Sequence, residues 1–200
     1  MATPPSTGNY TLGRGVLTIG EWADSDTYPT SFSDMGNAPS FEFEITEETL
    51  DHFSSRSGLR SKDKVVTLET GYTVSFTVDE VAYQNILYYV KGTHTAATGS
   101  IDAFTEGLTA TDKEYTLIFT TDNATGPNYV YKFYKVKISS NGTMGLISDE
   151  WAEIPFTAEG QSVPTGTLSG VDGTDPYSTY FVIEEAGTAG ASTTTTTTGA

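Results

Sequence analysis

Cysteine is absent from the chain. That removes disulfides, thiolate metal sites and a cysteine nucleophile from consideration, and it fits a reducing compartment. Basic residues are scarce: ten Lys and Arg stand against 26 Asp and Glu, a formal charge of −16. A surface of that sign repels nucleic acid, so direct DNA recognition is not expected, whereas a surface that DNA passes without sticking is allowed. No apolar run reaches the eighteen residues of a spanning helix, and no membrane insertion is expected. Residues 1–10 are polar and Pro-rich, with neither the basic nor the apolar region of a signal peptide. The expectation is a chain made in the cytoplasm. Apolar residues are also few, at 36% of 200 residues, while aromatics reach 12%. The gap is filled largely by Thr, Ser and Gly. Thr, Tyr, Phe and Val suit pleated, half-buried strands, and the length suits one domain with a sizeable core.

The pattern along the chain is accordingly β. A first strand is read over Gly15–Trp22, after an N-terminal arm, residues 1–14. Over Ser40–Thr46, Phe41, Phe43 and Ile45 alternate with Glu42, Glu44 and Thr46, which predicts one dry and one acidic, wet face. The stretch Asp51–Lys64 has few apolar residues and holds four of the ten cations, Arg56, Arg60, Lys62 and Lys64. It reads as a long exposed loop, of the kind that usually meets a partner. Val65–Glu69 and Tyr72–Val78 read as a hairpin turning at Thr70-Gly71. One helix is expected over about 78–90, with Thr77 and Glu80 at capping-box spacing. Its apolar stripe is Val78, Ala82, Ile86, Tyr89 and Val90, and its stop is Gly92. Lys113–Thr120 and Asn128–Ser139 form a hairpin, followed by strands over Glu153–Ala158 and Tyr177–Glu185. Residues 165–176 read as a connector. The end, residues 186–200 with its six threonines Thr193 to Thr198, reads as an arm that is disordered when alone.

No constellation of residues carries a clear catalytic or metal chemistry. Asp51, His52 and Ser54 are neighbours in sequence, whereas a triad needs a separately held base and orienting acid. Glu42 and Glu44 lie roughly 7 Å apart along one strand face, within reach of an acid-pair hydrolase; the plainer reading is a solvated face. Asp24/Asp26 and Asp172/Asp175 lack the spacing of a calcium loop. Gly13, Gly15 and Gly20 precede a strand and make no phosphate fingerprint. No cofactor is implied. A polar, acidic sheet face, a basic loop and two arms suit self-assembly. A carbohydrate- or surface-binding β-sandwich, motivated by the abundant Tyr and Trp, is the alternative.

Several ordered motifs bear on the choice. They are Tyr10-Thr11-Leu12-Gly13-Arg14-Gly15, then Met35-Gly36-Asn37-Ala38-Pro39 ahead of the Phe41/Phe43/Ile45 strand. Glu47-Glu48-Thr49-Leu50-Asp51-His52-Phe53-Ser54-Ser55 follows, then Arg60-Ser61-Lys62-Asp63-Lys64 and Phe76-Thr77-Val78-Asp79. Together, over about residues 10–92, the chain resembles the major tail tube proteins of long-tailed bacteriophages. Trp151–Gly160 is similar as a late strand; 102–145 and the Thr-rich end carry no match. The resemblance implies a mainly β fold, a β-sandwich or half-barrel with one flanking helix, spanning 15–185 between the arms. It implies a non-enzymatic virion protein forming hexameric rings. These would stack around a tape-measure protein and meet tail terminator and distal tail proteins at their ends. DNA would be passing cargo. It further implies that Ser40–Thr46, Val65–Thr70 and Tyr72–Val78 line the tube, with Glu42, Glu44, Glu69, Thr73 and Ser75 facing the lumen. Asp51, His52, Arg56, Arg60, Lys62, Asp63 and Lys64 would touch the adjacent ring.

Overall fold

The structure is a computed structural model and describes residues 8, 10–22, 28–56, 58–100, 102–110, 112–147, 149–163 and 179–185. The Thr-rich end, the connector 165–176, both Asp pairs and most of residues 1–9 lie outside the described residues. The elements are β1 (Gly15–Glu21), β2 (Ser33–Asp34), β3 (Ser40–Ser54), β4 (Ser61–Val78), α1 (Tyr83–Val90), β5 (Thr93–Thr95), β6 (Phe104–Glu106), β7 (Tyr115–Thr121), β8 (Tyr129–Ser140), β9 (Ile154–Gln161) and β10 (Phe181–Glu185). The protein is mainly β, with antiparallel sheets, one helix and no closed barrel among the described residues.

The main sheet runs β2-β1-β7-β8-β9-β4-β3, and β10 also pairs with β8. β8 is its hub. One edge pairs with β7, and the other is shared: β10 takes Tyr129 to Phe133, and β9 takes Lys135 to Ser140. The change coincides with an irregularity opposite Tyr115–Leu117. There Tyr134 turns away from the main core to join Trp22 and Val163 in a second cluster. The indole of Trp22 donates to the Tyr134 carbonyl at 2.6 Å.

The main core forms because alternate residues of several strands face one another. Leu17 and Ile19, Val74, Phe76 and Val78, Leu117, Phe133, Val136 and Ile138, and Ile154, Phe156 and Ala158 are all buried. β3 folds back over β7 and β8, which brings aromatic rings of these strands together, an arrangement consistent with a β-sandwich. Phe41 stacks on Phe119 at 4.4 Å, and Phe43 lies 5.7 Å from Phe133. α1 closes one end, placing Tyr88 against Tyr115 and Tyr89 against Phe156.

Two expectations are corrected. The hairpin turn at Thr70-Gly71 does not exist: β4 runs unbroken through it, and Gly71 pairs with Thr46. Glycine inside a strand need not mark a turn, and here the pairing of β3 alongside both halves of β4 settles the matter. The helix is also shorter than expected. Thr77 is a ladder residue held between β3 and β9, and Val78 pairs with β9, so strand pairing overrides the local capping signal. α1 starts after an extended Ala82 with no side-chain cap. The buried Asn85 amide ties the approach to it, donating to the carbonyls of Met35 and Glu80. Lys91 takes the left-handed conformation at the end, and the Gly92 N–H bonds to Leu87 O at 3.0 Å.

The buried phenols make stability sensitive to alkali. Burial pushes Tyr72 well above its ordinary value of 10.0, with Tyr180 adding to the effect. Tyr115 rises for the same first reason, then because of Glu21 and Tyr88. The folded state holds these protons where the unfolded chain would release them, so their contribution is complete below the unfolded value and is lost as pH rises past it. Denaturant midpoints should therefore hold up to about pH 10 and fall beyond it. A Tyr72→Phe, Tyr115→Phe chain should show a shallower fall over the same range.

Candidate functional site

Two surfaces stand out, and β3 and β4 build both. The first is the outer face of the layer β3-β4-β9-β8. Because side chains alternate along each strand, burying Phe41, Val74, Phe156 and Ile138 turns their neighbours outward. Two cross-strand rows result: Glu42, Ser75, Thr157, Ser139 and, beside it, Glu44, Thr73, Glu159, Lys137. Lys137 reaches Asp112 at 3.3 Å. Farther along, Glu48 lies directly opposite Glu69, an unfavourable like-charge pair that only an exposed position tolerates cheaply. Glu42, Glu44, Glu69, Thr73 and Ser75 thus share one face. Thr157, Glu159, Ser139 and Lys137 extend it; the alternation of Phe156 and Ala158 and of Val136 and Ile138 was their available signal. Glu42 and Glu44 border a shallow depression of about 110 Å³ with Thr73 and Ser75.

The second surface is an arm. Beyond Ile45 and Tyr72 the pair β3–β4 leaves the body and continues as a two-stranded ribbon to Ser54 and Ser61. Residues 46–53 and 61–70 are all exposed. The expected loop 51–64 is corrected accordingly. Asp51 and His52 belong to β3, and Lys62, Asp63 and Lys64 to β4; Arg56 and Arg60 lie in the connection, residues 55–60. Register shifts between Glu48 and Thr49 and between His52 and Phe53 break the two-residue period, and neither face is buried, so no alternation was there to read. Across the ribbon Lys62 pairs with Asp51 at 2.6 Å and His52 with Asp63 at 2.6 Å. The Arg60 guanidinium lies 4.6 Å from the Phe53 ring centre. His52 is therefore engaged by Asp63, and Ser54 lies across from Ser61; the Asp51, His52, Ser54 set does not assemble as a triad.

The arm is not merely polar. Leu50, Phe53, Val65, Val66 and Leu68 are exposed along it, and Leu59 at its tip is 82% exposed. An isolated two-stranded ribbon is marginal in water, and exposed apolar groups gathered on one mark a contact surface.

A third feature is an open aromatic groove of about 480 Å³ beside β3, lined by Phe41, Phe43, Phe119, Tyr129 and Tyr131 with Glu42 at its edge. The chain segment leading into β1 borders it. That segment is tied down where Arg14 meets Asp122 at 3.3 Å and Thr125 donates to Tyr10 O.

Residues 10–104 match the family described as protein of unknown function UCP028589. No curated protein matches the chain. The matched stretch holds β1 to β5, the whole arm and α1, while β7 to β10 lie beyond it. Both candidate surfaces therefore draw their first two strands from that stretch.

Proposed function

We propose that the chain is a structural, non-catalytic subunit that assembles with copies of itself into hexameric rings stacked as a tail tube of the long-tailed phage type. One observation carries this reading: a ribbon exposed on both faces, basic at its tip and studded with apolar side chains, projects from an otherwise acidic body. Such an arm gains by seating on another copy. Burying exposed apolar area stabilises at about 25 cal/mol per Å². The acidic rows of Glu42, Glu44, Glu69, Thr73 and Ser75 form the lumen in this reading. Their charge repels phosphates and lets DNA pass, while the tape-measure protein occupies the lumen beforehand and terminator and distal tail proteins close the ends. The tube belongs to the virion and is made in the host cytoplasm. Ring closure also covers the free edge of β3, which would otherwise invite uncontrolled pairing.

Negative-stain images of the purified protein at rising concentration should show rings or tubes of uniform diameter, with matching heavy species in sedimentation. A chain that stays monomeric throughout, with tape-measure protein present as well, would sink the proposal. The aromatic groove favours a second reading, a carbohydrate-binding β-sandwich; glycan-array binding by a strict monomer would select it.

A further inference from the structure

The loop between β8 and β9, residues 141–153, is firmly based and has an apolar tip. The Tyr89 hydroxyl anchors its start to α1, donating to Gly142 O at 2.9 Å and accepting the Met144 N–H at 3.2 Å. Beyond that anchor Leu146 is 76% exposed, Ile147 99% and Trp151 92%. Asp149 and Glu153, both exposed, flank Trp151. Three large hydrophobic side chains bare on a loop anchored at its start, with acidic flanks, describe one half of a contact.

The other half follows from the placement of cations. Outside the arm each cation has an acceptor within the chain: Arg14 with Asp122, Lys113 with Glu21, Lys132 with Glu184, Lys135 with Glu114, Lys137 with Asp112, and Lys91 on the Ser139 hydroxyl. On the arm, Arg56 and Lys64 have no ion-pair partner among the described residues. The outer part of the arm, residues 51–66, thus offers positive charge and exposed Leu59, Val65 and Val66, and the loop offers negative charge and exposed Leu146, Ile147 and Trp151. Their positions rule out a contact within one copy. Val78, the last residue of β4, pairs with Ile154 just after the loop, whereas the arm leaves from the other end of that strand. At about 3.3 Å per residue, β4 sets Val78 roughly 40 Å from Val66 and roughly 55 Å from Ser61 near the tip.

The geometry points to the arm of one copy seating on the 141–153 loop of the next. The contact is head-to-tail, using different surfaces on the two copies, so a pair of copies leaves one arm and one loop free to bind further copies. It names the surface that receives the arm, and it rests on the self-assembly reading above.

The test is charge reversal with rescue in the full chain. Arg56→Glu with Lys64→Glu should weaken self-association about tenfold or more in sedimentation, and adding Asp149→Lys with Glu153→Lys should restore it. Because the chain has no cysteine, an equimolar mixture of Ser55→Cys and Gly145→Cys chains should form the mixed disulfide in excess over either homodimer. Trp151 emission should shift to the blue on assembly, while Trp22 is buried from the outset. If the unaltered chain assembles but rescue fails and the mixed disulfide does not form, the arm seats elsewhere; this contact is overturned and the tube reading survives. If the unaltered chain does not assemble, both are overturned.

Discussion

Phe133→Ala should cost about 3–5 kcal/mol of folding stability, the range for a fully buried aromatic truncated to a methyl group. Phe133 has no exposed surface. It sits on β8 just before one edge of that strand passes from β10 to β9, and it pairs with Leu117 and Phe181 in the ladders on either side. The rings of Tyr72, Phe43, Phe181 and Phe41 lie 5.5–6.0 Å from its own. They come from three strands, β3, β4 and β10, so no single shift can fill the cavity. A domain of this size is stable by only about 5–15 kcal/mol, and a loss of that size is a large share of it. The denaturant midpoint should drop steeply with little change in slope. A midpoint close to that of the unaltered chain would mean that the layers do not meet at Phe133.

Removing the arm should have the opposite profile. Joining Glu47 to Thr70, which are Cα partners, through an Asn-Gly turn replaces residues 48–69 with a two-residue hairpin suited to the twist of the strands. The deleted residues belong to neither buried cluster, so the body should keep its thermal transition. Rings and tubes should disappear from images and heavy species from sedimentation, because the deletion removes the apolar ribbon together with Arg56 and Lys64. Assembly at the original concentration would show that the arm is dispensable and would remove the main support for the proposed function. The two variants separate folding from association: the first loses its body, the second its neighbours.

What the sequence made legible follows the distribution of burial. Strands with one face in the core announce themselves, as Phe41/Phe43 against Glu42/Glu44 and Val74/Phe76/Val78 against Thr73/Ser75/Thr77 do. The arm has no buried face, so no pattern distinguished ribbon from loop, and Gly71 within a continuous strand looked like a turn. The start of α1 was misplaced because a local capping signal at Thr77 lost to pairing with residues far along the chain. β8 hid its hub for a related reason: the irregularity near Tyr134 interrupts the alternation around Phe133. The acidic face was legible on β3 and β4; on β8 and β9 alternation marked an outward face, but the rows joining Glu44 to Glu159 and Lys137 exist only through strand pairing. The apolar tip at Leu146, Ile147 and Trp151 lies where composition alone gives no sign of exposure.

The unbroken run of β4 acts as a measuring rod. Its residues from Tyr72 to Val78 are fixed in the body and those before Gly71 overhang it, so the overhang, about 33 Å for ten extended residues, sets how far one copy can reach past its own edge. The rod has a graduation of two residues. Lengthening both strands of the ribbon by a pair moves the tip outward by about 6–7 Å and leaves each side chain on its original face, whereas a single added residue turns every side chain beyond it to the opposite face. The spacing between successive copies joined through the arm can therefore change only in discrete steps.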